Sequence, residues 1–233
     1  RRRYESLRSV VGSEFIATYA EAEIGDPERL YIDGVPANIA DLRLLHDAWD
    51  IQRLFADRAA PRTALEIGGG FGGMTAKIRT LFPTCRCIIL DLPEVNPVQQ
   101  VYLAQRFPEA RILDYIDLLE RGPEALLAED WTFAILPAWC AKDVPPGSLD
   151  LAVNTRSMME MTNATVAGYF DLLHRAMRVG GVFYCVNRYW KGTAGEAVQI
   201  KDYPFDARWA FALSAPGWDQ DWLHRLAAVR LDF

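Results

Sequence analysis

Long apolar runs, any Lys/Arg-rich stripe beyond a short basic start, and metal-ligand spacings are absent from this sequence of 233 residues. No apolar run reaches the length of a membrane-spanning helix, and the first residues lack the apolar core of a signal peptide. A formal net charge of −6, without a Lys/Arg-rich stripe, argues against a general nucleic-acid binder. These absences predict a chain with no membrane span and no nucleic-acid partner.

Histidine and cysteine are also scarce. The histidines are His46, His174 and His224, and the cysteines are Cys85, Cys87, Cys140 and Cys185. Neither set has the spacing of a zinc site or of a redox CxxC motif, so no metal site is predicted, and metal dependence stays open. We expect buried, reduced thiols in a cytoplasmic protein.

The sequence divides into two parts near residue 60. Residues 1–60 are mainly helical in pattern, which predicts an N-terminal helical cap, and residues 61–233 form the main domain. The basic start RRRYES is more typical of a domain boundary than of a functional arm, and suggests an excised portion of a longer protein. Half of the residues are apolar (51%), as in globular proteins.

Strand and helix patterns alternate from Arg62 onward. The predicted strands are TALEIG, CRCIIL, WTFAILP, SLDLAVN and VFYCVNRYW; the predicted helices are GGMTAKIRTLF, VNPVQQVYLAQRF and VAGYFDLLHRAMRVGG, the last with a glycine stop. The stretch ARILDYIDLLERGPEALLAED fits a strand followed by a helix or two short helices. The tail segments WAFALSAP and HRLAAVRLDF predict an antiparallel hairpin at the sheet edge. This alternation is typical of a doubly wound, mostly parallel α/β sheet.

A glycine-rich loop follows the first predicted strand. Gly68, Gly70 and Gly73 satisfy the dinucleotide pattern G-x-G-x-x-G, and the same stretch reads E-x-G-x-G-x-G from Glu66 to Gly72. A carboxylate at Glu66 would repel a pyrophosphate, but it suits a cationic ligand without phosphate. S-adenosylmethionine (SAM), with its sulfonium and α-ammonium groups, is such a ligand. We therefore predict SAM as the cofactor.

Two later positions extend the predicted cofactor site. Asp91 ends the second strand, where an acid can bind both ribose hydroxyls of either SAM or a dinucleotide. Trp139 follows the strand FAILP and is expected to stack on adenine, the alternative being a core or interface aromatic. If RILDY were the third strand instead, Asp114 would take the adenine position. The short spacing to the fourth strand favours FAILP.

Several segments resemble a bacterial family of sugar O-methyltransferases, a branch of the class I SAM-dependent enzymes. The segments are LEIGGGFGGM, IILDLPEVNPVQQVYL, LDLAVNTRSMMEM, YFDLLHRAMRVGGVFYCVNRYWK and YPFDARW. The resemblance covers about Arg62 to the C-terminus, and its most specific signatures contain Asp91-Leu92-Pro93-Glu94 and Asn154 to Met161. It implies a class I fold, a sugar hydroxyl as acceptor, and Leu92 and Asn154 among the cofactor-binding residues.

Methyl transfer to a hydroxyl requires a base, because the hydroxyl is barely acidic at neutral pH. Glu160, just beyond the fourth strand, is the first choice, although a carboxylate stabilised at a helix N-terminus fits the pattern equally. His46 in the cap is the second candidate. The predicted acceptor-binding residues are Arg156, Asn187, Arg188 and Tyr189.

The sequence as a whole therefore predicts a SAM-dependent O-methyltransferase acting on a small molecule or glycan, with an oligomer possible. Three alternatives stay open at this point. They are a methyltransferase for a non-sugar natural product, a nicotinamide-dependent oxidoreductase and a non-catalytic SAM-binding scaffold domain.

Overall fold

The computed structural model describes residues 1–21, 24–26, 30–32, 34–193 and 195–232. The α-helices are α1 Arg2–Val11, α2 Ser13–Tyr19, α3 Ile39–Leu54, α4 Gly73–Leu81, α5 Asn96–Arg106, α6 Tyr115–Arg121 and α7 Asn163–Ala176. The strands are β1 Leu30–Ile32, β2 Val35–Ala37, β3 Thr63–Ile67, β4 Arg86–Asp91, β5 Ile112–Leu113, β6 Phe133–Pro137, β7 Leu149–Thr155, β8 Met177–Arg188, β9 Lys191–Thr193, β10 Glu196–Val198, β11 Trp209–Pro216 and β12 Leu223–Arg230. Short 3-10 helices cover Pro123–Leu126, Ala138–Asp143, Met158–Glu160 and Ile200–Asp202.

An eight-stranded sheet organises the fold, with strand order β11-β12-β8-β7-β3-β4-β6-β5. Six neighbouring strands of this order, β8, β7, β3, β4, β6 and β5, pair in parallel. β12 pairs antiparallel with β8, and β11 pairs antiparallel with β12. The predicted doubly wound, mostly parallel sheet with an antiparallel C-terminal hairpin is therefore confirmed. The preference for FAILP as the third strand also agrees with the sheet, because β6 pairs directly with β4.

The sheet is buried on both faces, which explains the nearly continuous apolar runs of its central strands. Side chains of β3 alternate between the two sides: Leu65 and Ile67 belong to one apolar cluster and Ala64 to the other. Ile51 of α3, Met74 of α4 and Leu103 of α5 cover the Ala64 side. The opposite side is covered chiefly by α7.

Two boundaries differ from the sequence pattern. Helix α7 ends at Ala176, and β8 begins at once with Met177 in an extended conformation, so the predicted stop at the glycines is wrong. Gly180, with φ of +79°, lies instead in β8 where its register with β7 shifts. The ambiguous stretch after α5 forms a two-residue strand and a helix, and Asp114 caps that helix through a capping box.

The N-terminal region contains helices α1 to α3 and the small antiparallel hairpin of β1 and β2. The hairpin interrupts the helices at residues 30–37, where the helical sequence pattern is also broken. The predicted boundary at residue 60 lies between α3 and β3, and it stays a prediction. All four cysteines are buried and free, as expected. Within the described part of the chain, no helix has the length and apolar character needed to cross a membrane.

Helix α3 is held against the sheet by a buried charged network that the sequence pattern does not reveal. Asp47 and Asp50 are both buried on its inner face. The Tyr184 hydroxyl on β8 lies 3.0 Å from a carboxylate oxygen of each. Arg156 donates to Asp47 over 2.9 Å, and Arg225 on β12 pairs with Asp50. We call these five residues the α3 network. Each buried carboxylate is paired, as the cost of burying an isolated charge requires.

Replacing Tyr184 by Phe is expected to lower the free energy of unfolding by about 1–3 kcal/mol, because two buried carboxylates lose a donor. Tyr203→Phe is the matched control, since the buried Tyr203 hydroxyl has no hydrogen-bond partner among the described residues. Its loss should leave stability unchanged or slightly higher. Urea unfolding of both variants measures the difference, and equal effects would contradict the role given to Tyr184.

Candidate active site

The glycine loop lies at the carboxyl end of β3, where ligands bind in open α/β sheets. Gly68 has φ of +70°, and a Cβ atom there would lie 2.2 Å from the Ser157 hydroxyl oxygen. Gly70 also has a positive φ, of +54°, but a Cβ atom there would meet nothing within 4 Å. Gly68 therefore satisfies a packing constraint within the protein, whereas the backbone at Gly70 faces open space.

Glu66 is the one acidic residue of β3, and it is buried with 3% exposure. Thr75 at the start of α4 donates both its backbone N–H (2.9 Å) and its hydroxyl to the Glu66 carboxyl group. Burial raises the pKa of Glu66 from 4.5 to about 8, against the opposite effect of the two hydrogen bonds from Thr75. A cation bound beside Glu66 would favour its ionised form.

Asp91 joins the end of β4 to the glycine loop. Its carboxylate accepts hydrogen bonds from the backbone N–H groups of Gly70 (3.0 Å) and Leu92 (2.8 Å), and from the side chain of Gln99 (2.8 Å). A carboxylate has about four acceptor positions, so capacity for a ligand hydroxyl remains. Gln99 also donates to the Gly70 carbonyl. The sequence patterns did not single it out.

A cavity of about 210 Å³ lies over the glycine loop. The loop and Glu66 form its floor, Thr155 and Arg156 one wall, and α3 the roof through Ala40, Arg43 and Leu44. The volume is below the ~300–1,000 Å³ of usual ligand pockets. Binding a whole nucleoside cofactor there therefore requires α3 to shift outward or the ligand to extend past the cavity mouth.

Asn154 and Asn187 are fully buried and connect the ends of three strands. Asn154 donates to the Ile67 carbonyl (2.8 Å), and Asn187 donates to the Asn154 side-chain oxygen (2.7 Å). The side-chain oxygen of Asn187 accepts a hydrogen bond from the Met159 backbone N–H. With these bonds both side chains hold the strand ends together. Their placement does not support the predicted direct contacts of Asn154 with the cofactor or of Asn187 with an acceptor.

The predicted adenine region contains exposed apolar side chains. Trp139 follows β6, is 53% exposed and packs edge-on against Tyr115 at 5.8 Å between ring centroids. Leu92 is also exposed beside Asp91. This placement leaves the face of Trp139 available for stacking, which stays a prediction. Asp114, the alternative, is occupied as a helix cap.

The two candidate bases lie in different surroundings. His46 is buried on α3, stacks on Trp218 at 5.5 Å and has its Nδ1 3.7 Å from Asp50. Burial lowers its pKa, and it does not line the cavity over the glycine loop. Glu160, in contrast, is 54% exposed and forms an ion pair with Lys191. Glu160 is therefore the more accessible of the two side chains, although neither lines the cavity over the glycine loop.

Polar and aromatic side chains surround the end of β8. Arg188 and Tyr189 are both exposed, and the Tyr189 hydroxyl lies 2.8 Å from Nδ1 of His224. Nε2 of His224 lies 2.9 Å from the Ser214 hydroxyl. Arg156, the remaining predicted acceptor ligand, lines the cavity and is paired with Asp47. In the described ranges, no group of three or more His, Cys, Asp and Glu side chains could hold a metal ion.

The residues around the cavity suit SAM in three respects. Glu66 can pair with an ammonium group, and the open backbone at Gly70 allows close approach of a ligand. The Nε of Arg156 is a buried donor without a hydrogen-bond partner in the described part of the chain, so a ligand acceptor would satisfy it.

Comparison with known proteins gives one sequence-level match. Residues 52–117 match a family model described as an O-methyltransferase domain. The matched segment runs from the end of α3 through the glycine loop and Asp91 into α6. No curated protein sequence matches this chain significantly.

Solved methyltransferases share the fold. A proposed sarcosine dimethylglycine methyltransferase from Galdieria sulphuraria superposes with a TM-score of 0.58 at 12% identity, over 98% of this chain and 99% of that chain. Mitomycin 7-O-methyltransferase gives 0.50 at 19% identity, over 82% of this chain and 55% of its own. A geranyl diphosphate methyltransferase in complex with GPP and sinefungin gives 0.53 at 14% identity, over 83% of this chain and 82% of its own.

This chain spans about half the length of the mitomycin enzyme. The shared fold is that of the class I methyltransferases, as predicted. The O-methyltransferase domain matched over residues 52–117 covers less than a third of the chain, and the structural matches show the fold alone. The predicted enzyme class and cofactor agree with this match.

Replacing Glu66 by Gln is expected to stabilise the protein more at pH 8 than at pH 5. Between the ordinary pKa of 4.5 and the raised value of about 8, the unfolded chain has lost a proton that the folded chain retains. The free energy of unfolding of the wild type therefore falls by about 2–4 kcal/mol between pH 5 and pH 8. The amide of Glu66→Gln does not titrate, so the variant does not show this fall. Urea unfolding at both pH values measures it. An equal stability difference at pH 5 and pH 8 would contradict the buried, proton-retaining carboxyl group.

Proposed function

We propose that this protein is a SAM-dependent O-methyltransferase whose acceptor is a sugar hydroxyl of a glycan or of a glycosylated small molecule. The observation that carries the proposal is Glu66 buried beneath a glycine loop that also contacts Asp91. When bound, SAM supplies a methyl group on a positively charged sulfur. Glu66 would hold its ammonium group, the loop backbone its methionyl part, and Asp91 the ribose hydroxyls.

The acceptor would bind across the carboxyl ends of β7 and β8. Arg188 offers hydrogen-bond donors to sugar hydroxyls, and the exposed rings of Tyr189 and Trp190 offer surfaces for stacking on a pyranose. Glu160 would accept the proton of the reacting hydroxyl, held in place by its ion pair with Lys191. The resemblance to sugar O-methyltransferases supports the choice of acceptor class.

A second acceptor class is favoured by a separate observation. A cavity of about 800 Å³ lies beside the one over the glycine loop, and Ala40 and Phe71 line both. Its lining is mostly apolar and includes the exposed Val98 and Val101 on α5. This volume falls within the range of small-molecule pockets. Similar folds serve mitomycin 7-O-methyltransferase and geranyl diphosphate methyltransferase, whose named acceptors are not free sugars.

A mass-shift screen with SAM separates the two acceptor classes. Nucleotide sugars, polysaccharide fragments and glycosylated small molecules form one set, and phenolic and isoprenoid compounds form the other. We expect methylation in the sugar set, with Arg188→Ala raising the KM and Val101→Glu having little effect. Methylation of only the apolar set, lost in Val101→Glu, would contradict the sugar acceptor and support the second class.

The Glu160→Gln variant tests the proposed base. Removing a general base lowers kcat by about 10²–10⁴-fold, whereas SAM affinity should stay the same because Glu160 does not line the cofactor cavity. Glu196→Gln is the control, since that carboxylate bonds to Asn163 at the start of α7. Near-normal turnover of Glu160→Gln would show that another group removes the proton.

A further inference from the structure

The wall of the cofactor cavity contains a cationic side chain in a strained position. Arg156 has φ of +68°, a left-handed conformation that non-glycine residues adopt at an energetic cost. Its backbone N–H donates to the Val186 carbonyl over 2.7 Å, which fixes this conformation at the end of β7. Such strain persists where the surroundings enforce it, and it is concentrated at functional sites.

The guanidinium group of Arg156 is held by one carboxylate and keeps unused donors. Asp47, which is buried on α3, accepts one N–H over 2.9 Å, and the side chain of Arg156 is 21% exposed. The Nε–H is buried and has no acceptor among the described residues. Arginine presents five donors, so the bond to Asp47 leaves capacity for a second anion. An orphaned donor of this kind calls for a missing partner.

The same cavity is also lined by a carboxyl group, which suits a positively charged ligand group. Glu66 and Arg156 both line it, together with the loop of Gly68 to Gly70. A carboxyl group and a guanidinium group that line the same small cavity match the two charges of an amino acid zwitterion. The ammonium group belongs at Glu66, and the α-carboxylate belongs at Arg156.

We propose that Arg156 binds the α-carboxylate of the SAM methionyl group, with Asp47 as the positioning residue that holds the guanidinium toward the cavity. This inference rests on the proposed function, and it reassigns Arg156 from the acceptor to the cofactor. The same assignment connects the cofactor to α3. Asp47 lies on α3, so its ion pair with Arg156 both holds α3 over the glycine loop and positions the guanidinium group that binds the carboxylate.

Decarboxylated SAM is the direct probe, because it lacks only the carboxylate. Calorimetry on the wild type should show SAM binding about 10–100-fold more tightly than decarboxylated SAM, equal to about 1.4–2.8 kcal/mol. In Arg156→Gln, SAM affinity should fall by the same factor while affinity for decarboxylated SAM changes less than about threefold. Arg156→Lys should recover part of the discrimination.

Arg43→Gln is the matched control, since Arg43 lines the same cavity but its Nε donates to Asp219 over 2.9 Å. Its discrimination between the two ligands should equal that of the wild type. Loss of discrimination in Arg43→Gln instead, or equal weakening of both ligands in Arg156→Gln, would overturn the assignment. If Arg156→Gln does not fold, the ratio of SAM affinity to decarboxylated-SAM affinity in the wild type still tests the assignment. A ratio near one would overturn it. A wild type that binds neither ligand would instead refute the proposed function.

Discussion

The ion pair between Asp47 and Arg156 determines how the candidate site is closed. It joins α3, which belongs to the N-terminal region, to the turn after β7, at the carboxyl end of the parallel sheet. Tyr184 and the pair of Asp50 with Arg225 continue the same connection toward the antiparallel edge. Burying these charges is costly unless every one is paired, so the network specifies a single position for α3. That position makes α3 the roof of the cavity.

The glycine loop and the acids beside it provide the floor of the same cavity. Glu66 is buried among apolar strand residues and bonded to Thr75, an arrangement that favours the neutral acid until a cation arrives. Asp91 is already bonded to the loop backbone, so the side chain proposed to bind ribose is held in position before a ligand arrives. The two ends of the site therefore differ. The Asp91 end is preorganised by hydrogen bonds, whereas Glu66 is expected to ionise when a cationic ligand group binds beside it.

Local sequence patterns predicted the sheet well, because parallel strands buried on both faces are short apolar runs separated by glycine and proline. They placed Glu66, the loop and Asp91 together for the same reason: each follows or ends a strand at one edge. They could not show that Asn154 and Asn187 are consumed by internal bonds, since burial depends on neighbouring strands. His46 appeared as a possible base, but the ring on which it stacks, Trp218, lies over 100 residues away along the chain.

A crystal structure with S-adenosylhomocysteine tests the central claim, that the cavity between α3 and the glycine loop is the cofactor site. We expect the ligand in this cavity, with its ammonium group at Glu66 and its ribose at Asp91. Because about 210 Å³ is small for the whole nucleoside and the α3 network holds α3 in place, we also expect the ligand to extend past the cavity mouth. A ligand bound elsewhere, with the cavity over Gly68 to Gly70 unchanged, would contradict this claim.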